Sequence, residues 1–82
     1  VPTTPTGAPP YAGRVLRRGS SGAEVRKMQQ RLKDRGWRID VDGVFGPATE
    51  AVVRAFQADK RLAVDGEVGR DTWTALWSAP IT

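Results

Sequence analysis

The sequence predicts an all-α fold: a compact three-helix domain with minimal pairing of short strands, preceded by an extended Pro/Thr-rich linker. Three observations support this fold class. Apolar residues recur at helical spacing in three separate segments. One turn phrase occurs twice, each time just ahead of a predicted helix. The first 13 residues contain four prolines and no charged residue, which is typical of a tether.

Length and composition place the chain in one domain. Its 82 residues lie near the lower size at which a core alone supports folding. We therefore assign residues 1–13 to the linker and 14–79 to the domain. Tyr11 is the one large apolar side chain of the linker, and it can fold back onto the domain. The chain starts at Val1 without a signal peptide, which indicates a piece of a longer protein.

Composition also excludes several classes of function. The chain has no cysteine and no histidine, so thiolate chemistry and the usual zinc sites are absent. No apolar run approaches the roughly 18 residues of a membrane span. We expect no metal and no cofactor. The net charge of +4 favours anionic partners such as nucleic acid, wall polymers or acidic lipid.

The first helix is predicted at about 22–35. Ser21 and Glu24 fit a capping box, in which the two side chains satisfy free backbone amides at the helix start. Gly36 is a natural stop, with Arg35 beside the negative end of the helix dipole. The inner face carries residues at i, i+3, i+4 and i+7: Val25, Met28, Gln29 and Leu32.

The second and third helices have clear boundaries. The second begins after Gly46 with Pro47 at its first position, where the missing amide costs nothing, and it ends near Lys60. Its inner face is predicted to carry Thr49, Val52, Val53 and Phe56. The third helix covers about 70–77 and is stopped by Pro80. Its large apolar residues are Trp73, Leu76 and Trp77.

Two short segments between the helices, 39–43 and 62–66, alternate apolar and polar residues and then turn at Asp-Gly. Either segment can form a strand of two or three residues, paired with Val15 and Leu16. This pairing is the minimal sheet of the predicted fold.

The repeated phrase runs from Asp42 to Thr49 and again from Asp65 to Thr72, as Asp-Gly-x-apolar-Gly-x-x-Thr. A fixed-spacing repeat predicts a duplicated structural unit. In each copy the Asp side chain can accept backbone amides, the first glycine can supply positive φ, and the Thr hydroxyl can bond back to the loop. The apolar members, Phe45 and Val68, are expected to point into the core. The loops are either purely structural helix starts, or they flank a ligand groove where free amides are available.

From Arg14 to Trp77 the sequence resembles the peptidoglycan-binding domains appended to bacterial cell-wall hydrolases. The segments that carry the resemblance, in order, are 16–25, Gln30-Arg31-Leu32, 42–49, Ala55-Phe56-Gln57, 65–69 and Thr72-Trp73. The resemblance implies a non-catalytic, secreted module that holds muramyl-peptide material of the cell wall while an attached catalytic domain acts on it. Because the chain ends soon after the third helix, we expect the module to be a C-terminal appendage of the parent enzyme.

The resemblance places the family's groove by the two Asp-Gly loops and the second helix. The expected ligand-binding residues are Asp42, Gly43, Phe45, Gly46, Thr49, Gln57, Asp65 and Gly66, with Trp37 and Arg38 as further candidates. For Gln57 the alternative is a hydrogen bond to a loop carbonyl, and for Trp37 it is a place in the core. Trp73 and Trp77 share one helical face, and at least one of them is expected to pack in the core.

Three other functions are weaker alternatives. A catalytic pair can be imagined from Asp40 and Asp42, but the two lie beside one turn. A basic three-helix domain invites comparison with nucleic-acid readers, but the positive charges of the first helix surround its polar face and form no single strip. A protein-docking module is the third. We expect a monomer that binds peptidoglycan, with no nucleic acid partner.

Overall fold

The computed structural model describes Tyr11 and residues 13–79, and within them three helices follow one another: α1 (Ala23–Asp34), α2 (Pro47–Asp59) and α3 (Arg70–Ser78). The all-α prediction is confirmed. The predicted linker lies outside the described residues apart from Tyr11 and Gly13. In the described part, none of the helices has the length and apolar character needed to cross a membrane.

The predicted capping box at the start of α1 is wrong. Gly22 is the N-cap residue, and no side chain caps the helix there. Ser21 instead forms an isolated antiparallel bridge with Val44, which holds its backbone extended. Glu24 forms an ion pair with Lys27, with 3.3 Å between Oε1 and Nζ. A long-range backbone pairing therefore overrides the local capping signal.

The predicted strands at 39–43 and 62–66 are also wrong, since no strand forms among residues 13–79. Two isolated bridges replace them, between Leu16 and Val68 and between Ser21 and Val44. Pairing occurs just after each Asp-Gly turn because the turn itself is folded onto a buried side chain, as described below. Of the two predicted pairing partners, Val15 and Leu16, Leu16 forms a bridge.

The core lies where the inner faces of the three helices meet. All four residues predicted for the inner face of α1 are buried. On α2, three of the four predicted residues are buried: Thr49, Val53 and Phe56. Val52 is only half-buried, and Gln57 is buried as well. The buried apolar residues are Leu16, Val25, Met28, Leu32, Phe45, Val53, Phe56, Val68, Trp73 and Leu76.

Aromatic residues at the edge of the core pack against α2 and α3. Tyr11 does fold back onto the domain, with its ring centroid 6.2 Å from that of Trp73. Trp73 is buried, whereas Trp77 is half-buried and lies 4.7 Å from it, centroid to centroid. Trp37 is half-buried and packs edge-on against Phe56 with 6.4 Å between ring centroids, so the alternative expected for it, a place at the core, is observed.

Candidate functional site

The two copies of the repeated phrase form loop 1 (residues 42–46) and loop 2 (residues 65–69), and each leads directly into a helix. In loop 1 the amide of Val44 donates to Asp42 Oδ1 at 3.0 Å. In loop 2 the amide of Glu67 donates to Asp65 Oδ1 at 2.9 Å. The predicted role of each Asp as an acceptor of backbone amides is confirmed.

The other repeated positions also behave alike in the two loops. Gly43 and Gly66 have φ of 76° and 75°, a region that costs any other residue strain. Phe45 and Val68 are 1% and 0% exposed, so each loop is anchored by an apolar side chain in the core, as predicted.

A buried glutamine on α1 organises loop 1. Gln29 is 0% exposed. Its Oε1 accepts the amides of Asp42 and Gly43 at 3.1 and 2.8 Å. Its Nε2 lies 3.0 Å from Asp42 Oδ1, 3.0 Å from the carbonyl of Val44 and 3.1 Å from Thr49 Oγ1. The side chain of Gln29 thus provides hydrogen-bond partners for the buried polar groups of the turn.

Gln57 on α2 does the same for loop 2. It is also 0% exposed. Its Oε1 accepts the amide of Gly66 at 3.0 Å. Its Nε2 lies 2.8 Å from Asp65 Oδ1, 2.8 Å from the carbonyl of Glu67 and 3.1 Å from Thr72 Oγ1. The alternative expected for Gln57, a hydrogen bond to a loop carbonyl, is therefore observed.

These hydrogen bonds favour the ionised form of both aspartates. The amide of Val44, followed by the side chain of Gln29, holds the pKa of Asp42 below its ordinary value. The corresponding amide and glutamine lower the pKa of Asp65. A carboxylate stabilised in this way is a poor proton donor near neutral pH, which argues against Asp42 as the acid of a catalytic pair.

Gln29 was predicted to lie on the inner face of α1 but not to bind loop 1, although the sequence carries a signal for this role. Identical residues of α1 and α2 stand 28 positions apart, whereas identical residues of the two loops stand 23 positions apart. The identical pairs in this second repeat are Ala23/Ala51, Val25/Val53, Arg26/Arg54 and Gln29/Gln57. The duplicated unit therefore comprises a helix, its glutamine and the loop that follows.

A cavity of about 870 Å³ opens beside loop 1, along the outer face of α1. We call it the α1 groove. Its lining includes three cationic side chains, a carboxylate near the end of α1, the Asp-Gly turn of loop 1 and one aromatic side chain from α3: Arg26, Lys27, Arg31, Asp34, Asp42, Gly43 and Trp77. A methyl group built on Gly43 would lie 3.5 Å from both Arg26 Nη2 and the carbonyl of Gly22, so no side chain crowds this turn.

Loop 2 has a different environment. Glu50, which stands 28 residues after Gly22, lies over Gly66. A methyl group built on Gly66 would come within 3.0 Å of Arg54 Nε and 3.1 Å of Glu50 Cγ. Glu50 is held there by Arg18, with 2.6 Å between Oε1 and Nη2. The cavity beside loop 2, which includes Asp65, is only about 230 Å³.

The predicted site residues are divided among separate places. Asp42 and Gly43 line the α1 groove. A third cavity of about 320 Å³ brings together Arg38, Asp42, Gly46 and Thr49. Five of the predicted residues are buried: Gly43, Phe45, Thr49, Gln57 and Gly66. None of these three cavities includes residues from both loops, although both loops pair with the segment 16–22.

The sequence is similar to a known protein family and to longer known proteins. The family model described as "Putative peptidoglycan binding domain" matches residues 21–76. The zinc D-Ala-D-Ala carboxypeptidase of Streptomyces albus G is 42% identical over 66 residues, covering 77% of this chain and 26% of the relative. The spore cortex-lytic enzyme of Bacillus cereus is 43% identical over 70 residues, covering 84% and 27%. The chain thus spans about a quarter of the length of these relatives.

Solved structures show the same fold. A fused zinc-dependent amidase/peptidase/peptidoglycan-binding domain protein from Clostridium acetobutylicum superposes with a TM-score of 0.79 and 40% identity, covering 83% of this chain and 31% of that one. The SleB N-terminal domain superposes with a TM-score of 0.77 and 41% identity, covering 82% and 93%. The fold therefore occurs both as about a third of a longer, fused protein and as a separately solved domain of similar length.

Proposed function

The chain belongs to the peptidoglycan-binding domain family, and from this membership we propose that it holds bacterial cell-wall peptidoglycan for an attached hydrolase. Its relatives include a carboxypeptidase and spore cortex-lytic enzymes, of which it matches only about a quarter. The hydrolytic activity belongs to the rest of such a parent protein. The module itself is non-catalytic and works on the outside of the cell, in contact with the wall.

The α1 groove is the single observation from which we locate the binding site. It is the largest of the cavities described above, and it is bordered by the Asp-Gly turn of loop 1. Among the residues predicted to bind ligand, Asp42 and Gly43 face the groove directly. Phe45, Thr49 and Gln57 act through the loops, because each is buried beneath them.

The remaining parts of the proposal concern the organisation of the protein. Residues 14–79 form the binding module, and residues 1–13 tether it to a neighbouring domain. The composition of this tether, with four prolines and no charge, supports a spacer that keeps the module clear of its neighbour. The module binds as a monomer, and it does not bind nucleic acid.

A pull-down with purified, protein-free sacculi tests the function. We expect the domain to move to the pellet at both low and moderate salt, and excess soluble muramyl peptides to release it. A domain that stays in the supernatant at both salt concentrations contradicts the proposal. A parallel titration with DNA separates the nucleic-acid alternative, because DNA binding would be present at low salt and fall steeply as salt rises.

A further inference from the structure

The α1 groove differs from the corresponding surface of α2 in a way that points to its ligand. The residues that support the loops, Arg26 and Gln29, are repeated 28 positions later as Arg54 and Gln57. Arg26, Asp42 and Gly43 of the groove lining also have identical counterparts, whereas several other lining residues do not. Lys27 corresponds to Ala55, Gln30 to Ala58 and Arg31 to Asp59.

The groove differs in charge from the corresponding surface of α2, and the differences include its carboxylate Asp34, which corresponds to Leu62. On α2 the two positions that correspond to Lys27 and Arg31 carry a methyl group and a carboxylate. On α1 they carry two cations, with Arg26 one position before Lys27. Structural support of a loop does not require these two cations, because loop 2 is built in the same way without them.

Both cations keep hydrogen-bonding capacity. In the described structure Arg31 donates through Nε to the carbonyl of Leu76 at 2.8 Å, and its terminal nitrogens have no recorded hydrogen bond. Lys27 has one ion pair, to Glu24 at 3.3 Å, and its side chain is 53% exposed. Both side chains therefore have donors available to a carboxylate bound in the groove.

Trp77 closes the groove from the side of α3. It is half-buried, and the guanidinium of Arg31 lies 6.0 Å from its ring centroid. The ring therefore offers an apolar surface next to the cations. A short peptide with a free carboxylate and small aliphatic side chains matches this combination.

Resting on the proposed function, we infer that the α1 groove recognises the stem peptide of peptidoglycan through its free carboxylates. Lys27 and Arg31 pair with a carboxylate, and Trp77 contacts the adjacent aliphatic groups. The glycan strand is outside this contact. Loop 2 and the outer face of α2 form no second copy of the site, because Glu50 covers Gly66 and the two cations are replaced.

The test uses two synthetic stem pentapeptides, one with free carboxylates and one with all carboxylates amidated, and a chitin tetrasaccharide. Binding is followed through the indole N–H signals in two-dimensional NMR, with Trp77→Phe to assign the signal of Trp77. We expect the free peptide to shift the Trp77 signal, and we expect the amidated peptide and the tetrasaccharide to leave it in place.

Lys27→Gln is the decisive variant because its one ion pair is on the surface, so folding is not at risk. We expect it to weaken binding of the free peptide about fivefold, the size of a partly exposed ion pair. Lys33→Gln is the matched control, since Lys33 is exposed on the same helix outside the groove. Arg31→Gln should weaken binding at least as much.

Equal binding of the free and amidated peptides overturns the inference, and so does equal weakening by Lys27→Gln and Lys33→Gln. If sacculi retain the domain while the peptide does not bind, the inference fails and the proposed function stands. If sacculi also fail to retain it, both fail.

Discussion

Loop 1 and loop 2 are held from inside by the same hydrogen bonds, but their outer faces differ. Beneath each loop a fully buried glutamine binds the Asp, the turn amide and the helix-start Thr. Outside loop 1 lies a groove of about 870 Å³ lined by three cations and two carboxylates, whereas Glu50 and Arg54 cover the glycine of loop 2. The hydrogen bonds that the two loops share stabilise the fold. The surfaces on which the loops differ are the candidates for ligand binding.

The buried glutamines and the exposed cations are expected to contribute to different free energies, those of folding and of binding. A buried amide that meets all its partners rigidifies the backbone around it, and its removal leaves buried groups without partners. Solvent-exposed cations contribute little to folding. Stability is therefore expected to depend on both glutamines alike, and binding on the residues beside loop 1.

The largest expected effect tests that equality. Gln29→Ala and Gln57→Ala should each lower the free energy of unfolding by roughly 2–4 kcal/mol, because loop amides and acceptors lose their buried partner. Urea denaturation measures the loss. Gln30→Ala is the control, since Gln30 is exposed and bonds only Asp34 on its own helix, and it should cost no more than about 0.5 kcal/mol.

Binding distinguishes the two glutamines where stability does not. Under conditions in which both variants remain folded, Gln29→Ala should weaken retention by sacculi because loop 1 borders the groove, and Gln57→Ala should leave retention near that of the unchanged domain. A Gln57→Ala variant that keeps its stability but loses sacculus binding would instead support direct ligand contact by Gln57.

A smaller effect is expected from the two turn glycines. Alanine at Gly43 or Gly66 must adopt positive φ, which costs about 1–2 kcal/mol. At Gly66 the new methyl group also meets Arg54 Nε at 3.0 Å and Glu50 Cγ at 3.1 Å. Gly66→Ala should therefore have the lower melting temperature of the two. The double variant Glu50→Ala, Gly66→Ala should recover part of that gap, and equal losses at both glycines would show that loop 2 is as open as loop 1.

Much of this architecture can be predicted from short-range signals. Pro47 after Gly46 marks the start of α2 correctly, and the Asp-Gly pairs give both turns their Asp acceptor and positive φ. The apolar spacing of α1 identifies its whole buried face, including Gln29. These features depend on residues within one or two turns of each other, where propensity and periodicity are informative.

The features that were missed depend on contacts between distant parts of the chain. Ser21 is not a cap because its backbone pairs with Val44, which no local pattern indicates. The α1 groove exists because Trp77 of α3 lies near Arg31, 46 positions earlier in the sequence. From the duplicated phrase, two equivalent loops were expected to flank one ligand groove. The residues around the two loops differ, so the loops have different surfaces.

The smallest expected effect concerns the ends of the two helices that carry the glutamines. Both ends have the same backbone hydrogen bond, from Trp37 to the carbonyl of Leu32 at 3.0 Å and from Leu62 to that of Gln57 at 2.8 Å. After α1 the left-handed position is Gly36, but after α2 it is Arg61, with φ of 59°. Arg61 is thus in a conformation that favours glycine.

Arg61→Gly should therefore stabilise the domain by about 0.5–1 kcal/mol, because relief of the left-handed strain outweighs the added freedom of the unfolded chain. Thermal unfolding measures the gain, and Gly36→Ala is the matched control that should destabilise. Retention by sacculi should be unchanged, since Arg61 does not line the α1 groove. A loss of retention in Arg61→Gly would mean that the end of α2 carries binding after all, and that the two halves of the duplicated unit are functionally more alike than their surfaces.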